Sequence, residues 1–120
     1  MGARQLTGQA KIVVDGKTLK TDGAATLNPG GVNRDSKVGN GEVHGYSEED
    51  VVPSLECTVF HDKDTSLKEL SDITGATVFF ECDSGAQFVL RDAWTMEPAT
   101  LTAKDGSASL KMEAVACDEL

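Results

Sequence analysis

An antiparallel β-barrel or sandwich, with one short helix laid against it, is the fold this sequence predicts. Three observations carry that prediction. The dominant hydrophobic period is two, Asp-Gly pairs punctuate the chain at 15–16 and 105–106, and a single stretch breaks the period with helical spacing. With 120 residues, one domain spanning 1–120 is expected, long enough to bury a single core.

The elements follow in chain order. "QAKIVVDGKTLKT" sets Asp15-Gly16 between two short alternating runs, a strong two-residue hairpin signal. "DGAATLNPGGVNRDSKVGNGE" comes next, rich in glycine, with one proline and almost no periodicity. It reads as a long loop over 22–41, and a loop of that length in a compact domain is usually functional or disordered. "DTSLKELSDITG" places Ser66 three residues before Glu69 as a capping box, with Leu67, Leu70 and Ile73 at near-helical spacing and Gly75 as terminator. A helix of about two turns is predicted over residues 66–73, its Leu67/Leu70 edge packed on the sheet.

"ITGATVFFECDSGAQFVLRDAW", residues 73–94, reads as two strands joined by a tight turn. Phe88, Leu90 and Trp94 share a face by alternation, with Gln87 and Arg91 opposite. Phe79 and Phe80 are adjacent and must point to opposite sides, which predicts a strand covered on both faces. "TLTAKDGSASLKMEAVAC" repeats the Asp-Gly hairpin device at 105–106. In the strand after it, Ala108, Leu110, Met112, Ala114 and Ala116 alternate with Ser109, Lys111 and Glu113, the pattern of a half-buried antiparallel strand.

Charge is unevenly spread. The total is −9, but residues 1–41 hold six basic and three acidic side chains (+3), residues 42–83 two and eleven (−9), and residues 84–120 three and six (−3). So acidic a chain is not expected to wrap nucleic acid, because phosphate binding needs clustered Lys and Arg. The basic first third is instead expected to meet an acidic surface on another copy. No run of 18 apolar residues occurs, and no membrane partner is expected. Met1 to Gly8 carries Arg4 but no apolar stretch, so no secretory signal is expected. Cys57, Cys82 and Cys117 are widely spaced and odd in number, which favours free thiols in a reducing compartment.

The catalytic motifs fail one by one. Asp62 and Asp64 resemble the start of a calcium loop, but Leu67 stands where the glycine belongs and Ile73 where the bidentate glutamate belongs. His61 and Asp62 are strand neighbours pointing to opposite faces, with no nucleophile to complete a triad. Cys57 and His61 lack two further zinc ligands, and "GNGEVHG" lacks the lysine and hydroxyl of a phosphate loop. A non-enzymatic protein with no cofactor and no metal is the expectation.

Taken together, "NPGGVNRDSKVGNGEVHGY", "VPSLECTVFHD", "DITGATVFFECDSGAQFVLRDAW" and "GSASLKMEAVACDE" resemble the tail tube protein family of Mu-like, contractile-tailed bacteriophages. The likeness runs from Gln9 to about Glu119 and rests on order and extent rather than on one signature residue. It implies a virion protein assembled in the bacterial cytoplasm. Six protomers would form a ring, and the rings would stack into a hollow inner tube that conducts DNA without binding it specifically. The implied partners are further copies of the chain, the tail sheath protein, the tape measure protein, and the baseplate and tail terminator. Strand edges, an aggregation hazard in a monomer, would become the seams of the ring.

Within that expectation Asn28, Pro29, Gly30, Arg34 and Lys37 of the 22–41 loop are the candidate inter-subunit contacts. Glu42, Glu48, Glu49 and Glu56 are the candidate lumen-lining acids, which would repel phosphate over a screening length of about 8 Å. Two other readings compete. A ring protein of a secretion or contractile injection system would share the architecture, and gene context separates it. A monomeric acidic β-domain acting as a binding module or inhibitor would differ in its size in solution.

Overall fold

Backbone pairing follows the period-two pattern over most of the chain. The computed structural model describes residues 5–120, so Arg4 and the start of the expected 1–120 domain lie outside the described residues. The strands are β1 (Ala10–Val14), β2 (Lys17–Thr18), β3 (Thr21–Asn28), β4 (Gly31–Gly39), β5 (Glu42–Val51), β6 (Ser54–Phe60), β7 (Ala76–Cys82), β8 (Gln87–Thr95), β9 (Thr100–Thr102), β10 (Ser107–Glu113) and β11 (Ala116–Glu119). The helix is α1 (Leu67–Ser71). Every described strand pair is antiparallel.

The body is a sheet in the order β2-β1-β7-β8-β10-β6-β3, with β11 added to β8 and β9 to β10. It folds over on itself at β8. Phe88–Leu90 of β8 pair with β7 and β11, whereas Trp94 and Thr95 pair with Glu113 and Met112 of β10. The result is sandwich-like rather than a closed barrel, because no ladder joins β1 to β3. Ile12, Val78, Leu90, Ala93 and Leu110 are fully buried between the layers, with Leu55 and Met112 beside them. Burying such side chains stabilises by about 1.5–3 kcal/mol each before entropy is counted.

Local rules account for the junctions. Asp15 (φ 47°) and Gly16 (φ 82°) make the two-residue turn, pairing Val14 with Lys17. The Ser66 hydroxyl accepts from the Glu69 amide at 3.2 Å, the first half of the expected cap, and Gly75 takes φ 61° beyond the helix end. The helix is shorter than the predicted 66–73. Ala108, Leu110, Met112 and Ala114 are buried as the alternation requires.

Five expectations are corrected. Residues 22–41 are not a loop: Thr21–Asn28 is a body strand, and Gly31–Gly39 is one arm of a long hairpin with β5. Neither hairpin strand has a buried face, so no alternation marks it in the sequence. Asp105-Gly106 closes a four-residue connection, since Ser107 pairs with Thr102. Trp94 does not share a face with Leu90, because Asp92 (φ 51°) inserts a bulge that exchanges the faces and buries Ala93 instead. β7 is covered on one face: Phe80 is 5% exposed while Phe79 is 36% exposed. The C-terminal run also ends early, since Ala116 leaves the β10 register and pairs with Arg91.

Candidate functional site

The chain's most distinctive surface is built by two glycines, a proline and an Asn-Gly turn. At the end of β3 the Asn28 carboxamide oxygen accepts from the Gly30 amide at 3.0 Å, fixing an Asx turn around Pro29. Gly30 (φ 80°) then passes so close to the returning strand that an added Cβ would lie 2.8 Å from the Val51 carbonyl and 2.9 Å from Pro53 Cδ. From this root β4 and β5 run together from the pair Gly31–Val51 to Gly39–Glu42, where Asn40 (φ 53°) and Gly41 (φ 77°) turn the chain. Asn-Gly is the strongest short hairpin signal, and it is the sequence cue that would have identified the arm.

The arm has two unlike faces. Cross-strand partners share a face, so Val32, Arg34, Ser36 and Val38 lie with Asp50, Glu48, Tyr46 and Val43. The other face carries Asn33, Asp35 and Lys37 with Glu49, Ser47 and Gly45. A bulge between Lys37 and Val38 absorbs His44, whose Nε2 lies 3.1 Å from the Gly39 carbonyl. Every large apolar residue beyond the Gly31–Val51 root pair is therefore on one face. Val38, Val43 and Tyr46 there are 65%, 72% and 61% exposed. Among the described residues the arm pairs only with itself, and an isolated two-stranded ribbon is marginally stable in water.

The predicted site residues fall as follows. Asn28, Pro29 and Gly30 form the root, and Arg34 and Lys37 lie along β4. Arg34 stands opposite Glu48, its guanidinium carbon 5.6 Å from the centre of the Tyr46 ring. Lys37 is on the other face, ion-paired with Asp35 at 2.9 Å. Glu42, Glu48 and Glu49 share the same arm with these cations. The boundary between the basic and acidic thirds of the sequence is the turn of the arm, so both kinds of charge lie side by side on one hairpin. Glu56 alone sits in the body, on the solvent side of β6, opposite Lys111 and Thr26.

The groups considered for chemistry are engaged structurally. The Asp62 carboxylate accepts from Lys20 Nζ at 2.7 Å and from the Asp64 amide and Thr65 hydroxyl, and these bonds lower its pKa to about 2. Burial pushes the Cys57 thiol up to about 12, leaving it a packed apolar group. Among the described residues no group of three His, Cys, Asp or Glu side chains is placed to hold a metal, and no helix is long and apolar enough to cross a membrane.

Comparison with known proteins extends this picture. The family model for phage tail tube protein matches residues 3–119. The chain is 44% identical over 115 residues to the Mu-like prophage FluMu tail tube protein of Haemophilus influenzae, covering 96% of each chain. It is 30% identical over 94 residues to the tail tube protein of Escherichia phage Mu, covering 78% of this chain and 79% of that one. Among solved structures it superposes, with TM-score 0.67 and 99% coverage of each chain, on a chain of an extracellular contractile injection system, its sheath/tube terminator in the extended state. Identity there is 7%, so that likeness speaks for the fold alone.

Proposed function

The chain belongs to the phage tail tube protein family, a structural and non-enzymatic virion component, and from that premise we propose that six copies close into a ring. Rings then stack into the hollow inner tube of a contractile tail, and DNA passes through it. The arm is the observation that supports this most directly. A twenty-one-residue ribbon, Gly31–Val51, with a one-sided apolar face and no strand partner among the other described residues, is a poor investment for a monomer and a natural bridge between copies.

Charge sets the terms of assembly. Six copies of a −9 chain carry 6 × −9 = −54 formal charges per ring. Contacts between copies therefore need local complementarity, and added salt should help them form. Arg34 shares the apolar face and is proposed as the contact cation, with Glu48 beside it. Glu42 and Glu49, off that face, and Glu56 on the body are proposed to face the bore, where carboxylates repel phosphate. Around the tube the sheath protein covers the outside, the tape measure protein occupies the bore during assembly, and the terminator and baseplate close the ends.

Negative-stain imaging and sedimentation of concentrated protein test the reading, with rings or tubes expected. The double reversal Arg34→Glu with Lys37→Glu should block tubes and leave the protomer folded. The Gln variants of Glu42, Glu49 and Glu56 should form tubes that deliver genomes slowly. A chain that stays monomeric at high concentration would overturn the proposal. The fold likeness to an injection-system component motivates a second reading, a secretion tube, and finding capsid genes beside this one would decide for the phage tail.

A further inference from the structure

We infer that the hollow at the root of the arm is the receptor for the arm tip of a second copy. This rests on the proposed self-assembly and adds to it the place where the arm lands. A hollow of about 590 Å³ opens beside the root, bounded by Gly30, Val51, Pro53, Phe88, Val115 and Cys117. A second of about 290 Å³ lies on the other side of Val115, floored by Trp94 and Val52 and apolar in most of its lining. Val115, 67% exposed, stands as a ridge between them, and Val52 is 47% exposed. These side chains come from the arm root, from β8 on either side of its bulge, and from β11 with the crossing that precedes it. The Asp92 bulge is what turns Trp94 out of the core and into this surface.

The tip offers the matching shape and chemistry. Val38 and Val43 flank the Asn40-Gly41 turn, and Tyr46 lies one pair further back on the same face. Arg34 follows on that face, while Asp50 and Glu119 line the receiving surface with carboxylates. The arm cannot satisfy its own receptor. Gly30, Gly31 and Asp50 are both the root of the arm and part of the hollow's wall, and the tip lies eight residues further along a continuous ladder. At about 3.3 Å per residue the two surfaces are held roughly 26 Å apart. Complementary surfaces that cannot meet within one chain make a head-to-tail contact, which closes a ring or propagates along an axis.

The test uses the full chain with Cys82 and Cys117 replaced by Ser, together with the pair Val43→Cys and Val115→Cys. Both positions are exposed, so folding is preserved, and melting curves verify it. Oxidation of assembled material should give a ladder of covalent multimers from the pair and none from either single substitution. Separately, Val115→Glu should raise the concentration needed for assembly at least ten-fold, whereas Asn33→Glu, exposed on the opposite face of the arm, should change it less than two-fold. Normal tubes from the cysteine pair with no ladder, and an unchanged threshold for Val115→Glu, would overturn the receptor while leaving the tube intact. Absence of any ring or tube from the unmodified chain would overturn the tube itself, and the receptor with it.

Discussion

Leu70→Ala should be the most costly single change in the helix, and the structure sets its size. Leu70 is 7% exposed and joins the main core, whereas Leu67 is only half-buried. Leu→Ala in a core costs about 2–5 kcal/mol, depending on how far the site can collapse or refill. Here a hollow of about 300 Å³ already lies between α1 and the Lys17–Lys20 segment, open enough for water to enter. The helix is also tethered independently of Leu70's side chain: the Thr95 hydroxyl donates to the Leu70 carbonyl, and the Ala99 amide donates to the Ser71 hydroxyl at 3.0 Å. Both features favour the lower half of the range, about 2–3 kcal/mol. At about 3–5 °C per kcal/mol for a domain of this size, Tm should fall by roughly 6–15 °C. Leu67→Ala should cost about half as much or less. Ser66→Ala should cost about 1 kcal/mol through its lost cap. Thermal and urea denaturation of the three variants give the ranking directly. If Leu67→Ala matched or exceeded Leu70→Ala, the helix would be rotated from the position described.

Three further outcomes are expected. Gly30→Ala forces a left-handed residue and a contact of 2.8 Å with backbone, a strain of about 1–3 kcal/mol; it should re-aim the arm and impair sedimentation into tubes far more than it lowers Tm. Met112→Asp places a carboxyl in a site 1% exposed and should abolish soluble expression, whereas Lys111→Asp should still fold, losing only the pair with Glu97. The lowered Asp62 pKa, caused first by the Lys20 hydrogen bond, means that its stabilisation is present above the ordinary value of about 3.9 and is lost as pH falls through about 2. The Tm difference between the parent chain and Asp62→Asn should therefore shrink between those two pH values, and a difference that persisted unchanged at the lower limit would contradict the pairing.

Legibility in the sequence tracked burial. Ala108, Leu110 and Met112 could be placed because a strand with one face in the core must alternate, and Ser66 with Glu69 could be placed because a helix start leaves amides that need acceptors. The arm lacked that signature. Its two faces differ, but both are wet, so glycine, charge and valine mix along β4 without a period, and only Asn40-Gly41 betrays the turn. The exchange of faces at Asp92 had no cue at all, since a single residue with positive φ is a property of the assembled sheet. The charge blocks were legible as numbers but not as geometry. Arg34 opposite Glu48 and Lys37 beside Asp35 show that part of the complementarity expected between copies is met within one hairpin.

The shared strand β8 has a mechanical consequence. Because it pairs with β7 and β11 along one half and with β10 along the other, the body has no cleavage plane crossed by side-chain contacts alone. A force that pulls one layer away from the other is carried at the β8–β10 edge into a backbone ladder, where neighbouring hydrogen bonds resist together. The root of the arm is built otherwise, from a short turn and one strand pair at Gly31–Val51. Under load the rigid bodies should keep their shape while the joints between them yield first. A structure made from many such units would flex at its joints and keep a constant bore.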